Sequence, residues 1–139
     1  GSEMCIRDRY AFKIYMLDVG LLLAMADLDA SVIIDGNRIF TEFKGALTEQ
    51  YVLQQMIAEL GVEPYYYTTA NSTGEIDFML QAPGSVIPVE VKAEENLRAK
   101  SLAAFVARNP GLHALRFSMS DYREQDWMTN IPLYAVTLD

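Results

Sequence analysis

The stretch that decides the fold is "GEIDFMLQAPGSVIPVEVK", residues 74–92. Two apolar runs with the alternation of β-strands flank the turn "QAPGS", which is short enough for an antiparallel hairpin. Each run carries charge among residues that favour burial, with Asp77 in the first run and Glu90 and Lys92 in the second. The function of these charges is the question that the rest of the chain helps to answer.

Strand geometry predicts that the charged residues of this hairpin share one face. Successive side chains of a strand point to opposite sides, so Asp77 is expected opposite the apolar residues of its own run. Glu90 and Lys92 are expected opposite the apolar residues of the second run. The apolar side chains predicted to lie together on the buried side are Ile76, Phe78, Leu80, Ile87, Val89 and Val91.

A helix that precedes the hairpin supplies another inward carboxylate. The segment "ALTEQYVLQQMIAEL", residues 46–60, predicts a helix that ends at Gly61. Its predicted buried stripe consists of Leu53, Met56, Ile57 and Leu60, and its predicted exposed side carries Gln50, Gln54 and Glu59. Glu49 lies four residues before Leu53, on the same stripe, so its carboxylate is expected to point toward the sheet.

The remaining elements follow from periodicity and from turn residues. Residues 12–28 predict a strand from Phe12 to Met16 and then a helix capped by Asp18 that ends near Leu28. Residues 31–41 predict a short hairpin or an ordered loop. The other predicted elements are strands at 64–69, 75–80, 86–92, 112–119 and 132–138, and a helix capped by Asn96, stopped by Pro110 and Gly111, with Leu102, Phe105 and Val106 inward.

Composition limits the classes of function. The chain has 139 residues, of which 51% are hydrophobic and 22% charged, which is typical of one globular domain, expected over residues 10–139. Residues 1–9 are expected to be a tag or non-native leader. The apolar runs are far shorter than the roughly 20 residues of a bilayer span. A single Cys5 excludes an internal disulfide and favours a cytoplasmic location. The net charge of −8 opposes tight binding of nucleic acid by this chain alone.

The carboxylates have a chemical interpretation. If Glu49, Asp77 and Glu90 converge, they repel each other, and a divalent cation relieves the repulsion. Mg²⁺ prefers such oxygen ligands, and Lys92 beside it suits stabilisation of charge on a phosphate. The alternative is a solvated ion pair between Asp77 or Glu90 and Lys92 on an exposed sheet face.

The pattern Glu49, Asp77, then Glu90 and Lys92 in "EVK", on helix, strand and strand, resembles the PD-(D/E)XK nuclease superfamily. "FKIYMLDVGLL", "GEIDFML", "IPVEVKAEENLRAKSL" and "IPLYAV" resemble, more closely, an uncharacterised C-terminal domain that follows an AAA-type ATPase module in many prokaryotic ATP-binding proteins. This resemblance implies an αβββαβ core with a central mixed sheet flanked by helices. It also implies metal ligation by Asp77 and Glu90, assisted by Glu49, and a catalytic Lys92.

Two functions from different classes remain open at this point. One is a Mg²⁺- or Mn²⁺-dependent nuclease domain that acts on DNA beside an AAA-type ATPase module, and the other is a non-catalytic interaction or regulatory domain on the same fold. The set of Glu49, Asp77, Glu90 and Lys92 favours the first, and the net charge favours the second. The oligomeric state and the roles of Tyr65–Tyr67 and Trp127 stay undecided. His113, the single histidine, is expected to be packed within a strand.

Overall fold

A computed structural model describes residues 13–27, 38–68, 74–93 and 98–136. The helices in these ranges are α1 (Val19–Met25), α2 (Arg38–Leu60) and α3 (Lys100–Arg108). The strands are β1 (Tyr65–Thr68), β2 (Glu75–Ala82), β3 (Ser85–Lys92), β4 (Ala114–Ser118), β5 (Arg123–Glu124) and β6 (Met128–Pro132). A 3₁₀ turn, Leu133–Ala135, follows β6. No helix in the described part of the chain combines the length and the apolar character needed to cross a membrane.

The described strands form one mixed sheet in the order β1-β2-β3-β4-β6-β5. The first three strands pair antiparallel, β3, β4 and β6 run parallel, and β5 is antiparallel to β6. Because parallel neighbours need a crossover connection, α3 links β3 to β4. The predicted order of helix, three strands, helix and strand is confirmed, as is the mixed α and β class with a central mixed sheet.

Two apolar clusters lie on opposite faces of this sheet. Ala114 and Phe117 of β4 belong to different clusters, and side chains three positions apart on a strand point to opposite faces. The larger cluster joins α2 to the sheet through Val52, Leu53, Met56, Phe78, Leu80, Val89, Val91, Phe117, Ile131 and Val136. The smaller one joins α3 to the other face through Ile76, Leu102, Val106, Ala114 and Met128. The predicted inward residues Leu102 and Val106 are therefore confirmed.

A β-bulge in β2 changes the predicted faces of the hairpin. Tyr65 pairs with Met79 and Tyr67 with Ile76, so two residues of β2, Asp77 and Phe78, lie opposite the single residue Tyr66 of β1. Ile76 accordingly packs under α3, whereas Phe78 packs under α2. The prediction that Ile76 shares a side with Phe78 is wrong for this reason. Asp77 lies within the bulge.

Helix α2 is longer than its periodicity predicts. It begins at Arg38 and continues through Gly45, whereas the predicted helix began only at residue 46. The hairpin or loop predicted over 31–41 is wrong for residues 38–41, and residues 31–37 lie outside the described part. Its C-terminal stop at Gly61, which has φ of +59°, is confirmed. Ile57, predicted to be buried, is 51% exposed because the sheet contacts the neighbouring side of the helix.

The N-terminal and C-terminal elements differ from prediction in position. Asp18 caps α1 as predicted, since the Leu21 N–H donates to its carboxylate at 2.7 Å. The strand predicted over 132–138 is wrong for residues 133–136, and residues 137 and 138 lie outside the described part. The strand lies earlier, at Met128–Pro132, because Met128 and Ile131 supply the buried positions, and β5 was not predicted. Asn96, the predicted cap of α3, lies outside the described residues.

Candidate active site

The ammonium group of Lys13 lies among three carboxylates. Its Nζ is 2.6 Å from Glu75 Oε1, 3.2 Å from Glu49 Oε2 and 3.7 Å from Asp77 Oδ1. Burial on its own lowers the pKa of Lys13, but the hydrogen bond to Glu75 and the charge of Glu49 outweigh it, so the net pKa is raised. Lys13 is therefore charged at neutral pH and holds Glu49, on α2, beside Asp77, on β2.

Lys13 is carried by a short segment, residues 13–18, which we call the strap. The Met16 N–H donates to Gln50 Oε1 and the Gln50 Nε2 donates to the Met16 carbonyl, both at 2.8 Å. The Val19 N–H donates to Gln54 Oε1 at 3.0 Å. This amide clamp explains two wrong predictions: residues 13–16 pair with α2 rather than with a strand, and Gln50 is 2% exposed rather than on a solvated face.

Tyr15, also on the strap, completes the surroundings of Glu49. Its hydroxyl donates to Glu49 Oε2 at 3.2 Å, and its ring packs on Phe78 with centroids 5.7 Å apart. Burial, followed by the negative charge of Glu49, raises the pKa of the Tyr15 hydroxyl, so it stays protonated and acts as a donor. One oxygen of Glu49 thus receives two donors from the strap.

Asp77 lies at the bulge, where β2 meets β3. Its Oδ2 accepts from the Val91 N–H at 2.7 Å, and 15% of its side chain is exposed. Burial, followed by the charge of Glu49, raises the pKa of Asp77 to about 6, although Val91 and Lys13 act in the opposite direction. The charge of Glu90 raises it further, so Glu90 lies close enough to repel Asp77.

Glu90 and Lys92 form the second half of the site. Lys92 Nζ is 2.8 Å from Glu90 Oε1, and the Lys92 side chain is 30% exposed. Glu90 is 7% exposed, and its Oε2 is buried without a hydrogen-bond partner in the part of the chain that the structure describes. A buried carboxylate oxygen of this kind is costly unless a cation or a donor reaches it.

A buried polar row continues from Glu90 across the sheet. Glu90 is level with Arg116 of β4, and Arg116 is level with Asn130 of β6. Asn130 Oδ1 accepts from Arg116 Nε at 2.8 Å and from the Ser118 hydroxyl at 2.7 Å. Burial lowers the pKa of Arg116, and the charge of Glu90 partly offsets this. This row fixes the floor beside Glu90.

The four predicted site residues therefore form two ion-paired halves at one end of the β2–β3 hairpin. Glu49 and Asp77 share Lys13, whereas Glu90 pairs with Lys92. Within ranges 13–27, 38–68, 74–93 and 98–136, no three His, Cys, Asp or Glu side chains are grouped as metal ligands. Convergence of all three carboxylates on one ion stays a prediction. The sequence analysis missed Lys13. The available signal was its spacing of two residues from Tyr15 in "KIYM", since both side chains contact Glu49.

A groove on the α3 side of the sheet carries basic side chains. A cavity of about 220 Å³ lies between α3 and the start of β2, and Ile76, Tyr67, Phe105, Lys100 and Arg108 contribute to its lining. Lys100 and Arg108 are eight residues apart on α3, or about 12 Å along the helix axis. Tyr67 and Phe105, whose ring centroids are 5.2 Å apart, add an aromatic wall to the same cavity.

Two other residues singled out by the sequence have structural surroundings. Trp127 is half-buried against the smaller cluster, which makes it a packing residue. His113 precedes β4, is exposed and shares a 2.8 Å hydrogen bond with the Thr129 hydroxyl, so its predicted packing within a strand is wrong. Its neighbour Ala114 takes the buried position instead.

The fold and the site define an α+β protein with an acidic, lysine-paired centre at one end of the β2–β3 hairpin. Residues 44–136 match the family described as "Domain of unknown function (DUF4143)", and the chain belongs to this family. It is similar to two uncharacterized proteins, Mb2031c of Mycobacterium bovis and Rv2008c of Mycobacterium tuberculosis, each 30% identical over 125 residues. The match covers 83% of this chain and 27% of each relative, so the chain spans about a quarter of their length. No solved structure matches it.

Proposed function

We propose that this chain is a Mg²⁺-dependent, nuclease-like domain of the PD-(D/E)XK type that hydrolyses phosphodiester bonds of nucleic acid. The observation that carries the proposal is Glu90, whose Oε2 is buried without a partner among the described residues and which faces the charge of Asp77. Two carboxylates that repel each other in a partly buried place, one with an unsatisfied oxygen, form a ready site for a hard divalent cation.

The donor set fits the implied ion. Asp77 and Glu90 would hold it, with Glu49 behind Asp77 as the third carboxylate, and Mg²⁺ commonly uses only one or two protein carboxylates. A bound Mg²⁺ supplies an acidic water and offsets negative charge on a phosphate. At neutral pH Asp77, with a pKa of about 6, is mainly ionised and can serve as a ligand. Mn²⁺ has the same preference for oxygen donors.

Lys92 is the residue that we assign to the reacting phosphate. Its ammonium lies 2.8 Å from Glu90, and nearly a third of its side chain reaches solvent. It can therefore orient an attacking water or stabilise charge that develops on the phosphate oxygens. Arg116 and Asn130 hold the neighbouring floor and do not reach solvent.

Nucleic acid is the substrate class that the surroundings favour. The groove along α3 starts next to Ile76, one residue from Asp77, and places Lys100 and Arg108 where phosphates of a bound strand would pass. Tyr67, on the opposite wall, offers a ring for stacking of a base. The net charge of −8 limits the affinity of this chain alone. We propose that an AAA-type ATPase module supplies the remaining contacts to nucleic acid. The relatives are long enough to include such a module, since the match covers only 27% of their length.

A non-catalytic interaction domain is the second candidate, and one observation favours it. Lys13 already neutralises part of the charge on Glu49 and Asp77, so the fold does not depend on a metal ion to hold these residues together. The two candidates differ in their response to divalent cations, because only the first requires an ion at Asp77 and Glu90.

Melting curves test the proposal. We expect millimolar Mg²⁺ or Mn²⁺ to raise the melting temperature by several degrees, since a ligand at ten times its Kd stabilises the folded state by ~1.4 kcal/mol. Na⁺ at matched ionic strength should have no such effect. Glu90→Gln should lose the response, and Glu59→Gln, which changes an exposed carboxylate of α2, should keep it. If neither metal changes the melting temperature of the wild-type protein, the metal site is excluded.

A further inference from the structure

The contacts of Lys13 suggest a role beyond structural pairing. Lys13 and Tyr15 both donate to the same oxygen of Glu49, each at 3.2 Å. That oxygen therefore already has the two donors that a carboxylate oxygen readily accepts. A metal ion that uses this oxygen must displace the ammonium, whereas Glu90 Oε2, on the other side of Asp77, has no partner among the described residues.

Charge balance gives the same division of the site. Four carboxylates, those of Glu49, Glu75, Asp77 and Glu90, are paired with two ammonium groups, those of Lys13 and Lys92. These ion pairs leave a formal charge of −2, and Arg116, level with Glu90, reduces it to −1, so one divalent ion is enough to make the group net positive. A second divalent ion would make the group strongly positive, unless Lys13 left it.

The backbone of the strap is fixed to α2 without help from the carboxylates. Gln50 binds both backbone polar groups of Met16, and Gln54 accepts from Val19, so the position of Lys13 is set by α2. The backbone of the strap is therefore in place before any ion binds, and the ion pairs with Glu75 and Glu49 hold the ammonium. Removal of its charge should leave the strap attached.

We propose that Lys13 is a resident cation that occupies the Glu49 half of the site and limits the domain to one divalent ion, bound at Asp77 and Glu90. This inference rests on the proposed function for the identity of the ion. It makes Lys13 a residue that determines metal occupancy, and it gives Glu49 an indirect role, through Lys13, in place of direct ligation.

Titration calorimetry with Mn²⁺ alone, supported by counting of bound ions in native mass spectra, tests the inference. We expect one ion for the wild type. Lys13→Met, which keeps an unbranched apolar side chain, should bind a second ion or bind the first about tenfold more tightly, because a neighbouring positive charge is gone. Lys13→Met combined with Glu49→Gln should return to the wild-type result. The matched control is Lys44→Met, which changes a lysine of α2 outside both ion-paired halves of the site. It should titrate like the wild type.

The outcomes separate this inference from the proposed function. If wild type and Lys13→Met bind one ion with equal affinity, the metal site is supported and the role proposed for Lys13 is wrong. If the wild type binds none and Lys13→Met binds one, the resident cation stands and metal-dependent hydrolysis by the wild-type chain is wrong. If neither binds, both are wrong. Should Lys13→Met fail to fold, Lys13→Gln removes the same charge and keeps a hydrogen-bond donor for Glu75, and it should also bind a second ion or tighten binding; an unchanged ion count and affinity there would overturn the inference.

Discussion

Lys92→Ala is expected to lower the rate of phosphodiester hydrolysis by at least about 100-fold, the usual effect of removing one group that stabilises transition-state charge. The same variant should keep its metal-induced rise in melting temperature or show a larger one, because Glu90 loses the ammonium 2.8 Å away. Loss of turnover with retained metal binding distinguishes a catalytic lysine from a structural one.

The assay for this variant uses labelled single- and double-stranded DNA and RNA with Mg²⁺ or Mn²⁺, and it separates kcat from KM. Lys100→Ala is the matched control, since Lys100 is exposed on α3 and lines the groove. It should raise KM and leave kcat near the wild-type value. A Lys92→Ala protein with wild-type kcat would remove Lys92 from the mechanism, even with the metal site intact.

Asp77→Asn is expected to abolish both the metal response and hydrolysis while stabilising the metal-free fold at neutral pH. The pKa of Asp77 is about 6 in the folded protein against an ordinary value of 3.8, so the folded state binds the proton more tightly. The resulting stabilisation is fully present below pH 3.8 and is lost as the pH rises through 6. Asparagine resembles the protonated form, so the variant should gain ~1–3 kcal/mol at pH 7.

Urea denaturation of the metal-free protein between pH 4 and pH 8 measures this effect. The stability of wild type relative to Asp77→Asn should fall across pH 4 to 7, and the two should differ least at pH 4. Asp126→Asn, at an exposed bend, should follow the wild type throughout. If Asp77 is only a structural partner of Lys13, the substitution should instead destabilise by a few tenths to ~1 kcal/mol and leave the metal response unchanged.

The hairpin that decides the fold was predictable because its information is local. Alternation in residues 74–92 and the short turn between the runs specify two antiparallel strands, and both were placed within two residues. The bulge at Asp77 was not predictable from the same pattern. It depends on how Tyr65 and Tyr67 pair with β2, which is a contact between strands rather than a property of either one.

The candidate site likewise has features that the sequence predicted and features that it did not. Helix periodicity predicted that Glu49 points toward the sheet, but its place beside Asp77 depends also on Lys13, which pairs with both carboxylates. Lys13 was missed because its position depends on the side-chain amide of Gln50, and a glutamine on a helix usually faces solvent. The surroundings of Glu90 likewise depend on β4, which pairs with its strand and places Arg116 level with it, a contact that the local sequence does not specify.

The most direct test of the central claim is X-ray diffraction at the manganese absorption edge from crystals of this domain grown with millimolar Mn²⁺. The account predicts one anomalous peak, in contact with the carboxylates of Asp77 and Glu90, with Lys92 beside it and Lys13 still paired with Glu49. A map without a peak at these two carboxylates, or with its peak on another part of the surface, would contradict the proposal that this acidic centre is a catalytic metal site.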